Sequence, residues 1–448
     1  MGRWLGGFRS EAVELKRRNT LRTRSAKPFR FASFGVTIAL DVKPIRRIAM
    51  RSRHLVRICC VLGIAAAGLA NADGSAIHSY PIDFIDNRVF VQTKVDGKGP
   101  FAFLLDTGSS SATIDSTLMK RLRLKPKGGG ETGGAGEKTV GYETVHLKSL
   151  TLGDLALGAM DVPALDGQPL ARVVGFQHFD GVLGAEIFAD HVVTIDVGNA
   201  RLTVEDTAHF VPGPAAVRVA MTLNGDLTPV IDAAIDGIAG RYLVDTGDRS
   251  SLTMFGPFWR ANGLDKRIGR TVTAMTGYGI GGPIRGIVGR PESFTLGGVA
   301  VPPPVTRLSL QKAGAFASGD YAGSIGMGIL RRFVVSFDYA HKALWLTKAA
   351  DFDKPDLYDR AGAWLALTDG GGLTVLDIVD NGPAAQAGLK PGDRVTAVDD
   401  IPANWDSLFQ LRALLRQPDK AAVTVSVLRG GKPMTLPVAP RDLISPPR

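Results

Sequence analysis

Cysteine is almost missing from this chain: Cys59 and Cys60 are the only two in 448 residues. Both sit in an apolar run over residues 58–69, so everything after it is cysteine-free. That excludes a disulfide framework, a thiol nucleophile and a zinc–thiolate site from the rest of the chain. Histidine is sparse as well, with seven residues (54, 78, 146, 178, 191, 209 and 341) and no pair at metal-ligand spacing. No metal and no other cofactor is therefore expected. The glycine-rich stretches lack the Gly-Lys-Ser/Thr ending of a phosphate loop, and no Gly-x-Ser-Gly-Gly nucleophile site occurs. Long hydrophobic runs are missing too: the run at 58–69 falls well short of the ~20 residues needed to cross a bilayer.

An excess of charge is missing from most of the chain. The formal +10 comes from 53 basic and 43 acidic residues, but residues 1–72 alone hold 15 of the former and 3 of the latter. The remainder has 38 basic and 40 acidic groups, which removes the case for a nucleic-acid partner. The basic segment reads as an address. Arg51, Arg53 and Arg57 precede the apolar run, and Ala70-Asn71-Ala72 follows it as a small-x-small cleavage site. Residues 50–72 are thus expected to be a signal peptide. They direct export to a periplasmic or secreted location and leave no membrane anchor once cleaved. Residues 1–49 are expected to be an extended N-terminus arising from a misassigned start, with Met50 the true one.

What is plentiful is glycine, 54 residues, among scattered runs of Val, Ile and Thr. The mixture favours a mainly β chain. Its middle is duplicated. Residues 99–114 (GPFAFLLDTGSSSATI) align with 238–253 (IAGRYLVDTGDRSSLT), and 180–204 align with 322–346. Successive matches are offset by 139, 140, 144 and 142 residues, so order and spacing are both kept. An internal repeat of this kind predicts two similar lobes, over 73–210 and 211–350. A polar stretch at 351–355 then leads into a separate unit over 351–448.

In each repeat an apolar strand delivers Asp-Thr-Gly: Asp106-Thr107-Gly108 and Asp245-Thr246-Gly247. Alone, either tripeptide is a plausible turn, with Asp accepting backbone N–H groups and Gly turning the chain. Their equivalent places in a duplication predict that Asp106 and Asp245 face each other across a pseudo-twofold axis. Two such carboxylates share one proton. The ionised one can then deprotonate a water while the protonated one polarises a carbonyl.

These motifs resemble those of the aspartyl proteases, retropepsin-like in lobe size and pepsin-like in being fused in one chain. The family's hydrophobic-hydrophobic-Gly motif falls on Val182-Leu183-Gly184 and on Ser324-Ile325-Gly326, where a Ser replaces one apolar residue. The resemblance implies two pseudo-symmetric β-barrel lobes and an aspartic-type peptidase acting on polypeptides through Asp106 and Asp245. It implies that Thr107 and Thr246 lock the loops together across the interface. Gly108 and Gly247 would let each loop approach the carboxylate of its own lobe. Ser109 has the expected type after the first motif, but Asp248 does not after the second. A third carboxylate there would raise the dyad's pKa, pair outward with Arg249 or another base, or mark a lobe that has lost catalysis. The alternative function is then a non-catalytic peptide-binding scaffold. Of two glycine-rich stretches, 127–138 reads equally as a flap or an exposed loop. Tyr278, Gly279 and Ile280 in 276–282 read as a flap tip that closes over substrate.

The last unit resembles a bacterial PDZ domain over about 360–440, through Asn381-Gly382-Pro383-Ala384 and Ala387-Gly388-Leu389-Lys390-Pro391-Gly392-Asp393. The resemblance implies capture of a peptide or chain terminus as an added strand. Its carboxylate loop falls at 360–364 or at 369–373.

Overall fold

The computed structural model describes residues 77–175 and 180–446; the leader 1–49, the signal-like segment 50–72 and both cysteines lie outside the described residues. Strands dominate, and the helices between them are short. No helix among the described residues is long and apolar enough to cross a membrane.

Each lobe starts with a hairpin whose turn is dictated locally. Asp96-Gly97 joins strands Val89–Val95 and Lys98–Leu105, and Asp236-Gly237 joins Pro229–Ile235 and Ile238–Val244. All four turn residues have positive φ, the conformation that Asp-Gly tolerates and that suits a tight two-residue hairpin. Alternation along the strands then divides the side chains. Val89, Val91, Phe103 and Leu105 enter the main core, while Phe90 and Leu104 face the opposite way, into a second cluster.

The lobes share one topology. In the first, Lys98–Leu105 runs parallel to Gly181–Leu183, which pairs antiparallel with Thr113–Asp115; that strand in turn runs parallel to Leu155–Leu165. In the second, Ile238–Val244, Gly323–Ile325, Leu252–Met254 and Thr306–Ser309 repeat the same three relations in the same order. A further hairpin reaches out from each lobe: Pro126–Thr132 with Val140–Leu152, and Val272–Gly279 with Gly282–Gly289.

A shared sheet joins the lobes. His191–Asp196 pairs antiparallel with Phe333–Asp338, and the residues that meet at its centre, Thr194 and Ser336, are themselves repeat equivalents. The Thr194 hydroxyl donates to the Ser336 hydroxyl at 2.7 Å, so the pseudo-twofold axis passes between them. One continuous core including Val193, Phe188, Phe333 and Phe337 underlies both lobes. Burial of about 1.5–3 kcal/mol per large apolar side chain is the cohesion that replaces disulfides here.

The C-terminal unit has its own sheet, in the order Ala363–Leu367, Leu373–Ile378, Arg394–Val398, Val423–Arg429, Lys432–Val438. Its own core includes Leu365, Leu373, Val395, Leu408 and Leu411. Pro383 opens a short helix, where its missing N–H costs nothing. Helix Leu408–Leu414 packs beside Ala363–Leu367, which is the edge strand. Because 360–364 leads directly into that edge, it is the loop at the head of the groove; 369–373 is the turn at the strand's far end.

Candidate active site

The two Asp-Thr-Gly loops meet on the axis between the lobes, and both aspartates are fully shielded from solvent. Each loop is fixed first by its own lobe. The Asp106 N–H donates to Leu183 O and the Asp245 N–H to Ile325 O, both at 3.0 Å. Behind each loop the glycine of the second motif lies hard against the chain. A Cβ on Gly184 would sit 2.6 Å from Ser111 O, and one on Gly326 would sit 2.4 Å from Ser250 O. No side chain fits in either place.

The threonines then bind the lobes to each other. Thr107 Oγ1 donates to Val244 O at 2.8 Å and accepts the Thr246 N–H at 3.0 Å. Thr246 Oγ1 donates to Leu105 O at 2.8 Å and accepts the Thr107 N–H at 3.0 Å. These four bonds form two symmetric pairs, all of them buried.

The carboxylates lie inside this frame. Asp106 Oδ1 accepts the Gly108 N–H at 2.8 Å, and Asp245 Oδ1 accepts the Gly247 N–H at 2.9 Å. The glycines do more than approach their own carboxylates. A Cβ on Gly247 would lie 2.4 Å from Cγ and Oδ2 of Asp106, so its bare Cα makes room for the carboxyl of the opposite lobe. Burial pushes the Asp106 carboxyl well above its ordinary range, and the neighbouring charge and hydrogen bond of Asp245 push it further. Asp106 Oδ2 is fully buried, with the Gly247 backbone against it.

Asp248, the residue that departs from the expected pattern, turns away from the dyad. Its Oδ1 accepts the Ser250 N–H at 2.8 Å, and its Oδ2 accepts the Ser250 hydroxyl at 2.6 Å. Arg307 lies 3.8 Å from Oδ1. The outward partner is therefore Arg307 and not Arg249, whose guanidinium donates to Asp86 of the first lobe. Ser109 is buried, its hydroxyl donating to Ser111 O at 2.8 Å.

Residues 91–187 match the family model for aspartyl proteases, and residues 374–429 match that for PDZ domains. The chain carries an aspartyl protease lobe and a PDZ domain. The first match takes in Asp106-Thr107-Gly108 and Val182-Leu183-Gly184; the second lobe reproduces its strand order and loop bonding. Carboxyl-terminal-processing peptidase 1, chloroplastic, of Arabidopsis thaliana is 35% identical over 86 residues. That stretch is 18% of this chain and 18% of the relative, so this chain spans under a fifth of the relative's length. The crystal structure of an aspartic proteinase from Irpex lacteus is 14% identical, with a TM-score of 0.40. That likeness covers 62% of this chain and 99% of the other.

Both glycine-rich stretches of the protease lobes form hairpin tips, and the tips interlock. The Gly136 N–H donates to Ile280 O at 2.8 Å and the Lys138 N–H to Gly281 O at 3.1 Å. Glycine is needed at this crossing: a Cβ on Gly136 would meet Gly281 at 2.2 Å, and one on Gly279 would meet Ala135 at 2.8 Å. Each tip fills an apolar pocket of the opposite lobe. Ile280 packs among Phe90, Leu104, Leu170 and Val182, with Tyr278 at the margin. Ala135 packs among Val230, Leu243, Phe255 and Phe316. Phe90 and Val230, and Leu104 and Leu243, are repeat equivalents, so the two apolar pockets are themselves related.

Two groups behind the first aspartyl protease loop have no counterpart among the expected site residues. Glu186 Oε1 accepts the Gly184 N–H at 2.9 Å, while Oε2 is buried without a partner. Burial pushes this carboxyl up to about 7. The Tyr339 hydroxyl is also buried and unpartnered; burial, and then the charges of Asp106 and Glu186, raise its pKa well above the usual value. The equivalent of Glu186 in the second lobe is Gly328, a break in the repeat that was the available signal.

Proposed function

We propose that this protein is an exported aspartic endopeptidase that hydrolyses peptide bonds in extended polypeptides, using a water activated between Asp106 and Asp245. The observation that carries this reading is the pair of symmetric loops, cross-bonded by Thr107 and Thr246, which bury two neighbouring carboxyls and push that of Asp106 well above its ordinary range. The ionised carboxylate takes a proton from water as the water oxygen attacks the peptide carbonyl carbon. The other carboxyl gives its proton to the carbonyl oxygen. Collapse of the tetrahedral intermediate breaks the C–N bond, and the dyad returns a proton to the departing amine. Asp248 inserted between the two carboxyls would argue for the scaffold alternative, and its outward bonding favours catalysis instead.

The pockets that receive Ile280 and Ala135 suggest apolar side chains on both sides of the scissile bond. The PDZ groove, in this reading, takes a peptide or chain terminus of a substrate or partner. Export rests on the 50–72 segment. The test compares wild type with Asp106→Asn, Asp245→Asn and Asp248→Asn on an unstructured protein substrate from pH 3 to 8. Cleavage is expected to vanish in the first two and to persist in the third. Equal cleavage by wild type, Asp106→Asn and Asp245→Asn overturns the proposal.

A further inference from the structure

The PDZ groove is occupied, and the occupant is the protein's own first lobe. Helix Gln168–Val174 ends against edge strand Ala363–Leu367 and helix Leu408–Leu414. A helix end leaves carbonyl oxygens without intrahelical partners, and here the PDZ domain supplies the donors. Arg412 Nη1 donates to Val174 O at 2.6 Å, and Nη2 donates to Val173 O at 3.2 Å. Trp364 Nε1 donates to Val173 O at 3.4 Å. Gly175 follows with φ +108° and lies so close to Leu408 that a Cβ would come within 2.2 Å of Cδ2. At the rim, Arg172 pairs with Asp369 at 2.6 Å.

The same domain holds the second lobe's flap from its other side. Asp377 Oδ2 accepts the Met275 N–H at 2.7 Å, and Oδ1 pairs with Arg285 at 2.8 Å. Met275 and Arg285 are directly opposite each other in the hairpin, so one carboxylate fastens both of its strands. Val379, Leu443 and Ile444 add apolar contact with Ala274 and Val288.

These two attachments fall on elements that must separate before a polypeptide can enter. Ile280 rides on the hairpin, and Leu170, Ala171 and Val174 of the helix form part of the pocket that Ile280 fills. A domain fixed to both prevents the tip from lifting. We propose that the PDZ domain is a latch that keeps the cleft closed by binding the protein's own helix, and that an apolar chain terminus entering the groove in place of Val173 and Val174 releases it. The donors read main-chain oxygens, which any polypeptide end presents. A terminal carboxylate offers the Arg412 guanidinium a charge-assisted bond in place of a neutral carbonyl, and it competes for that reason. With the helix displaced, the flap hairpin and PDZ domain can swing away together. The latch concerns closure and stands whether or not the dyad hydrolyses peptides.

The test uses the full chain carrying Asp106→Asn, so that nothing is cleaved, and follows amide hydrogen exchange. The segments read are 168–174 and the two flap tips, 133–138 and 279–282. Arg412→Ala is expected to speed exchange in all three segments by at least tenfold. Arg172→Glu reverses a surface pair without touching a core, and it is expected to do the same by about threefold. A hexapeptide copying residues 169–174 with a free carboxylate, added at millimolar concentration, should reproduce the pattern; its C-terminal amide should not. Faster exchange in the helix with unchanged flap tips in both variants overturns the latch. So does a free-acid peptide that leaves all three segments unchanged, or an amide that acts equally well.

Discussion

The symmetric threonine pair allows a quantitative test of how the lobes are joined. Replacing Thr107 by Val keeps the shape of a β-branched side chain and removes only the hydroxyl, so no cavity opens. Two bonds go with it, the donation to Val244 O and the acceptance from the Thr246 N–H. Both backbone groups belong to a buried loop that water does not reach. An orphaned buried polar group costs about 1–3 kcal/mol, so the pair of orphans costs about 2–6 kcal/mol. Thr246→Val orphans Leu105 O and the Thr107 N–H in the same way and should cost the same within error. The assay is urea unfolding of the full chain followed by far-UV circular dichroism. At a slope of about 3 kcal/mol per M, each substitution lowers the midpoint of the lobe transition by about 0.7–2 M. The double variant should cost less than the sum, because separation of the loops in either single variant already strains the bonds of the other. Midpoints within 0.3 M of wild type for both single variants would refute the assigned role of the cross-lobe bonds. A cost confined to one of them would refute its symmetry.

Two further outcomes follow from the same site. Gly247→Ala places a Cβ where the Asp106 carboxyl now lies, 2.4 Å from Oδ2, at a backbone conformation that alanine can adopt. The carboxyl must retreat by about 1 Å, and a misplacement of that size costs on the order of 100-fold in rate; kcat/KM should fall at least that far with the melting temperature nearly unchanged, whereas wild-type kinetics would contradict the geometry. Glu186→Gln tests the buried carboxyl behind the dyad. Its folded-state pKa is raised from 4.5 to about 7, so the folded form holds the proton more tightly, and stability is lost as pH rises between those values. Wild type should lose up to about 3 kcal/mol relative to the Gln variant across that window and stay level above it; parallel stability curves from pH 4.5 to 7.5 would exclude the effect.

The parts of this molecule that were legible in the sequence are those that a short stretch determines. Asp96-Gly97 and Asp236-Gly237 specify their hairpins locally, and the nearly constant offset of the repeat predicts Asp106 opposite Asp245 without reference to anything else. The stretch 127–138 was ambiguous because three consecutive glycines read as loop. They form a strand only because Gly128, Gly129 and Gly130 pair with Thr144, Glu143 and Tyr142 of the neighbouring strand. That Asp248 pairs outward with Arg307, of the two bases left open, and not with Arg249 has a similar reason. Arg249 is adjacent in sequence, but Asp86 and Trp364, from positions far away in the chain, draw it to the junction with the PDZ domain. The latch left no trace at all. Arg412 recognises the carbonyl oxygens of Val173 and Val174, and a carbonyl is carried by every residue.

Thr194 and Ser336, meeting on the axis, have a consequence for what this molecule could become. A subunit that pairs with a copy of itself across a twofold axis carries every substitution twice. Joining the two halves in one chain ends that constraint, and assembly no longer depends on protein concentration. Ser109 can then stand opposite Asp248, Val182 opposite Ser324, and helix Gln168–Val174 opposite the single 3₁₀ turn Ala315–Ala317. A lone attached domain can grip one half by its helix and the other by its hairpin, an arrangement a true homodimer could acquire only in duplicate.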